Sequence, residues 1–185
     1  MRRVDPRWLI VLLANLLLWW MVGTANHYLG CFSPLWLDYC SIHLYLGGLF
    51  VIYPALRLDS KQGWIAIVLT GLMMDALEPV PFGTDMLLLG LVYATLLYGR
   101  RRFPREGSIF GIVVALFANL FLMIALSFLL VGANPRPGEI WLRIFVDLLA
   151  SQFVILVITP WFLALQERTM EIMRIHPETG RRVSF

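Results

Sequence analysis

Few side chains in this sequence could do chemistry, and most of them cluster. Asp38, Asp75, Glu78, Asp85, Glu139, Arg143 and Asp147 all lie within or beside long apolar runs. Paired carboxylates are the material of general acid–base catalysis, and Asp75 and Asp85 flank the turn Glu78-Pro79-Val80-Pro81-Phe82-Gly83. The pair also has a plain structural use. Asp85 falls in the first turn of an apolar run, where a negative charge suits the helix dipole. The three histidines, His27, His43 and His176, are far apart, and none stands in a metal-binding spacing such as HExxH. His43 reads as a packed or hydrogen-bonded core residue. Cys31 and Cys40 fall near one face, where an oxidising compartment would allow a disulfide. Cys40 already lies inside an apolar span, which argues against one. The sequence contains no GxSxG elbow, no P-loop and no Gly-rich dinucleotide turn. An intramembrane hydrolase or phosphotransferase needs a denser polar cluster, so no enzyme, metal or cofactor is expected.

The elements that must position these residues follow from composition. The chain has 185 residues, 59% of them hydrophobic and only 15% charged, with a mean hydropathy of +0.76. A soluble domain carries about 25% charged residues. A chain this apolar cannot cover its surface with polar groups, and it is too hydrophobic for disorder. The class expected is an all-α polytopic membrane bundle. Apolar runs near 20 residues cross a hydrocarbon layer about 30 Å thick, and six are read, at 8–25, 35–56, 63–77, 83–98, 108–131 and 140–165, with a short basic tail at 166–185, into which the sixth helix can extend to Ile175 before Pro177 stops it. Ser33-Pro34 opens the second as cap and first helical position. The fifth, Ser108 to Val131, has no charge in 24 residues. Alternating ten-residue strands are absent from the sequence, so a barrel is not expected.

Arg2 and Arg3 before an apolar run also fit a signal peptide, with Gly23-Thr24-Ala25 as a weak cleavage site. A retained first span is the better reading, because five more spans follow. With six spans, 13 of the 15 Lys and Arg fall on one side, leaving Arg136 and Arg143 on the other. The positive-inside rule then puts both termini in the cytoplasm. Net charge +3 and pI 9.1 are products of that asymmetry and do not point to nucleic acid. Arg100, Arg101, Arg102 and Arg105 form a cytoplasmic loop facing lipid headgroups. Trp8, Trp36, Trp64, Trp141 and Trp161 sit near span ends as an aromatic belt.

Charges inside a membrane are costly and face protein or trapped water. Every one predicted here lies in the outer half. Asp75 is 12 residues past Gly63, or about 18 Å along a helix. Asp147 is eight residues past Glu139, or about 12 Å from the outer side. These depths agree, and they imply an outer-leaflet polar pocket or seam formed by Asp38, Asp75, Asp85, Arg143 and Asp147. Arg143 and Asp147 share a helix face. Arg143 pairs either with Asp147 or, across helices, with Asp75 or Asp38.

The third and fourth spans are short, and the turn between them holds two prolines and a glycine, which exclude continuous helix. A re-entrant hairpin below the outer surface is expected. The other reading is a tight outer loop with ordinary capping carboxylates. Small residues recur every four positions at Gly107, Gly111 and Ala115 and at Gly90 and Ala94. Such stripes let helices approach closely, inside the bundle or against a partner helix.

Gly71-Leu72-Met73-Met74-Asp75-Ala76-Leu77, then Pro81-Phe82-Gly83, then Met86-Leu87 resembles the signature of the MreD family, the rod shape-determining membrane proteins of bacteria. Pro34 opening the second span, Pro160-Trp161-Phe162 closing the last, and the length fit the same family. The specific likeness covers 71–87; the rest is topology. It implies a scaffold in the bacterial cytoplasmic membrane that sits with a MreC-like bitopic protein, with RodA and with a class B transpeptidase. Together these place side-wall peptidoglycan, guided by MreB filaments. It also implies that Gly71, Asp75, Pro81 and Gly83 are structural determinants of an outer groove. The first loop, with His27 and Cys31, departs from the family pattern, as do Glu78 and the double proline. MreD is similar in fold to the substrate-binding components of energy-coupling-factor vitamin transporters, which supply the rival reading. Against that rival, the first span lacks a small-residue docking stripe; Leu16, Leu17, Leu18, Trp19 and Trp20 are bulky. A proton-coupled transporter using Asp75 and Asp147 is disfavoured by the uncharged inner half.

Overall fold

The computed structural model describes residues 7–31, 42–77, 81–100, 108–132 and 137–173. Among these residues there are six helices and no strand: α1 (Arg7–Cys31), α2 (Gly47–Arg57), α3 (Ser60–Asp75), α4 (Thr84–Gly99), α5 (Ser108–Gly132) and α6 (Pro137–Ile172). Three stretches are long and apolar enough to cross a membrane: Arg7–Cys31, Ile109–Leu129 and Arg143–Ile172. The helices α3 and α4 have 16 residues each, or about 24 Å, and α2 has 11.

The shortest helix is the centre of the fold. Every residue from Leu46 to Ala55 is buried, and α2 packs against all five other helices. A helix that is apolar all round belongs in the interior. Leu49, Phe50, Val51 and Ile52 fill the main cluster with Ile67, Leu89, Tyr93, Leu122 and Ile155. On one side of α2 lies the α3–α4 pair; on the other lies the α5–α6 pair. The first helix, α1, packs on α2, α3 and α6.

Pro54 sits inside α2. It has no N–H to give to the carbonyl four residues back, which is Phe50. That oxygen accepts instead from the Asn15 side-chain amide of α1, at 3.2 Å. The same amide group contacts the Thr70 hydroxyl of α3 at 3.3 Å. One fully buried asparagine therefore joins three helices, and it does so where the backbone leaves an acceptor open.

Helix bounds differ from the sequence reading most of all in three places. The sequence predicts a second span from 35, but the described chain is helical only from Gly47, and 42–46 is not helical. Side chains from other helices take the backbone N–H groups there. The first helix runs past Ala25 to Cys31, and Asn26, within that extension, is bonded to Leu44. The last helix starts three residues earlier than read, at Pro137, a residue suited to a first helical position, and continues to Ile172, within the extension to Ile175 read from the sequence.

Candidate functional site

Two polar constellations occupy the end of the bundle where the sequence places its buried charge. The first joins α3 to α4. Gly71 and Asp75 are one turn apart and share a face of α3. A Cβ at Gly71 would lie 2.5 Å from the Met86 Cα. The glycine is what lets the start of α4 come this close. One turn on, Asp75 is 4% exposed. Its Oδ1 accepts the Asp85 N–H at 2.9 Å, and its Oδ2 accepts the Met86 N–H at 3.1 Å.

These bonds serve the α4 N-terminus, whose first N–H groups lack helical partners. Thr84 N–H donates to the Pro81 carbonyl at 3.1 Å, and Leu87 N–H makes the first helical bond, to the Gly83 carbonyl at 3.0 Å. Asp75 takes the two between. The chain enters α4 through Gly83 at φ +95°, a left-handed conformation that glycine adopts without steric cost. The Asp75 carboxylate is thus an N-cap supplied by the neighbouring helix, and its charge meets the positive end of the dipole. Asp85, the next acid, is fully buried beside it in the first turn of α4.

The second constellation holds the non-helical segment before α2. Asp147 Oδ1 of α6 accepts the His43 N–H at 2.8 Å. Asn26 of α1 bonds Leu44 twice, accepting its N–H at 2.8 Å and donating to its carbonyl at 2.9 Å. Ser151 Oγ accepts the Tyr45 N–H at 3.0 Å. Asn119 Oδ1 of α5 accepts the Gly48 N–H at 3.2 Å. Irregular backbone survives in an apolar setting only where protein satisfies it, and four side chains from three helices do so here. Gly48 permits the approach of α5, since a Cβ there would lie 2.5 Å from the Ala115 carbonyl.

The residues read from sequence divide between these two places. Asp75 and Asp85 come together, with Gly71, Pro81 and Gly83 around them. Asp147 belongs to the other constellation, and among the described residues α6 makes no packing contact with α3 or α4. The single pocket shared by Asp75, Asp85 and Asp147 is therefore not what the described residues form. Arg143 is exposed on α6. Asp38, Gly107, Glu78, Cys40 and His176 lie outside the described residues, and Cys31 is exposed. The His43 side chain is exposed, contrary to its reading as a core residue; what the fold engages is its backbone. Of the small residues, Gly111 faces Leu163 of α6 and Ala115 faces α2. Gly90 is buried near Trp64, while Ala94 is exposed.

Asn15, Asn26, Asn119 and Ser151 were not singled out from sequence. The available signal was a neutral amide or hydroxyl inside an apolar run, which in a membrane finds a partner across helices. Two cavities also lie away from the acidic residues. One of about 330 Å³ opens on α1 around Trp20 and His27, and one of about 420 Å³ lies between α4 and α5. The fold and this polar framework define an all-helical protein with three helices able to span a membrane. No protein-family model, curated protein or solved structure matches the chain.

Proposed function

We propose that this chain is a non-enzymatic membrane scaffold of the bacterial cell-elongation complex, with six spans in the cytoplasmic membrane and both termini in the cytoplasm. In this reading it binds a MreC-like bitopic protein and, through it or beside it, RodA and a class B transpeptidase, close to MreB filaments. The observation that supports the reading is the use made of the Gly71–Gly83 motif. Both oxygens of Asp75 are taken by backbone N–H groups of α4. A carboxylate so engaged fixes two helices at a set distance; it is not presented to a substrate. The outward faces are left apolar, with Phe117, Phe153 and Trp161 exposed, as lipid and partner helices require.

The test is co-purification of the tagged chain in mild detergent with MreC and RodA homologues from the same cell. A stoichiometric complex supports the scaffold. The second reading, a substrate-binding component of a vitamin-type transporter, draws on the interruption before α2. Broken spans lined by polar side chains are where membrane transporters hold ligands. A chain that elutes alone, carrying a small molecule seen by mass spectrometry, would favour it.

A further inference from the structure

The last turns of α6 lie beyond the reach of α5. These two helices run antiparallel: Gly111 meets Leu163, the Leu116 carbonyl accepts from the Gln152 amide, and the Phe128 ring packs on Trp141. Gly111 is three residues from the start of α5 at Ser108. Three residues past Leu163, at Gln166, α6 is therefore level with that start. The remainder, 166–172, is about two turns long, and its contacts are with α1 and α2. Met170 joins Ile10, Val11, Tyr53 and Leu58 in a second apolar cluster.

The bonds that hold these turns are weak. The Tyr53 hydroxyl donates to Met170 Sδ at 3.1 Å, and a thioether is a poor acceptor. Arg57 and Glu167 pair at 2.8 Å but are half exposed, so water screens them. The apolar anchor is Met170, which is 4% exposed. One side chain opposes the docking. Gln166 is 1% exposed, and neither its carboxamide oxygen nor its nitrogen has a hydrogen-bond partner. Asn15 and Asn119, the other buried carboxamides, are each bonded. An amide taken out of water with no bond in return works against burial. Gln166 also begins the polar run Gln166-Glu167-Arg168, just past the sixth apolar run, where an opened turn meets water.

We infer that 166–172 is a strap that docks on α1 and α2 and opens locally while the rest of the bundle stays folded, with the buried Gln166 amide favouring the open form. Opening gives the amide its water and uncovers Tyr53, Ile10 and Val11. Segments with few buried anchors are the ones that open this way. The hinge falls after Leu163, which packs against both apolar clusters. The inference is independent of the scaffold reading.

Hydrogen exchange on the full chain in detergent tests it, because amide exchange reads the local opening equilibrium. Gln166→Met keeps the length of the side chain and its helix propensity and removes the amide. Exchange at Met170, Glu171 and Ile172 should slow about tenfold, with no change at Leu89 in the core of α4. Simple fraying of a helix end would not respond, since the two residues propagate a helix equally well. Met170→Ala removes the anchor and should quicken the same three amides, again without a change at Leu89. Gln152→Met removes an amide that is bonded, to the Leu116 carbonyl, and should leave the three amides as they are. Exchange at 170–172 that is unchanged or faster in Gln166→Met overturns the proposal. So do rates at 170–172 that shift only in step with Leu89, which would mean that the strap opens with the whole bundle.

Discussion

Asp75 and Met86 are 11 residues apart and bound through the Asp75 Oδ2 and the Met86 N–H at 3.1 Å, with Gly71 beneath the same residue. The contact sets the spacing of α3 and α4. It requires a carboxylate at one position and no side chain at the other. Each requirement can be tested separately.

Replacing Asp75 with Ala leaves the Asp85 and Met86 N–H groups without their acceptors in a buried place. Each such group costs about 1–3 kcal/mol. Asp75→Ala should therefore lower the thermal midpoint of the detergent-solubilised protein well below that of Asp59→Ala, since Asp59 is exposed. Asp75→Asn, which keeps one acceptor oxygen, should fall between. Equal midpoints for the Asp75 and Asp59 variants would refute the capping role. In a rod-shape complementation assay the same order is expected.

Gly71→Ala puts a Cβ into the backbone of α4, which cannot move aside as a flexible side chain could. Overpacking of this kind costs about 1–3 kcal/mol. Gly23, where a Cβ would meet nothing within 4 Å, is the matched control. Gly71→Ala should shift the monomer peak toward aggregate on heating, and Gly23→Ala should not. Indistinguishable melting curves would show that α4 does not pack against Gly71.

The segment 42–46 is held by side chains rather than by a helical ladder, so its amides should report on those side chains one at a time. Hydrogen exchange at His43 should quicken in Asp147→Ala, and exchange at Tyr45 should quicken in Ser151→Ala. Exchange at Leu89, in the core of α4, should stay unchanged in both. Slow exchange at His43 after Asp147 is removed would mean that another acceptor holds it.

Arg57 and Glu167 pair at 2.8 Å with both side chains about half exposed. Exposed pairs contribute about 0–1 kcal/mol. Glu167→Gln should lower the midpoint by at most about 4 °C, and the difference should vanish in high salt. A large, salt-independent loss would place the pair in a drier setting than its exposure indicates.

The orientation proposed for the chain can be tested at the two ends of α3. Asp59 and Phe82 are both exposed and lie at opposite ends of the α3–α4 pair. In a background lacking Cys31 and Cys40, Phe82→Cys should react with an impermeant maleimide on intact spheroplasts, and Asp59→Cys only after lysis. The reverse pattern would invert the topology.

All-helical structure of membrane type was legible in the residues alone, because hydropathy and run length act residue by residue. The bounds of α5 were legible for that reason: an uncharged run with flanking polar residues leaves no other solution. Gly71, Asp75 and Gly83 were also legible as a group, since their spacing is local. What each one touches depends on how the helices pack. Packing made α2 the buried centre, although its residues look like those of any span, because burial depends on what surrounds a helix. It separated Asp147 from Asp75, which equal depth had placed together, because depth along an axis carries no information about which helices are neighbours. It also showed that Asn15, Asn26 and Asn119 hold the interruptions in the backbone. An amide's value there depends on an unmet N–H or carbonyl in another helix, at Phe50, Leu44 or Gly48, and that pairing exists only once the chain is folded.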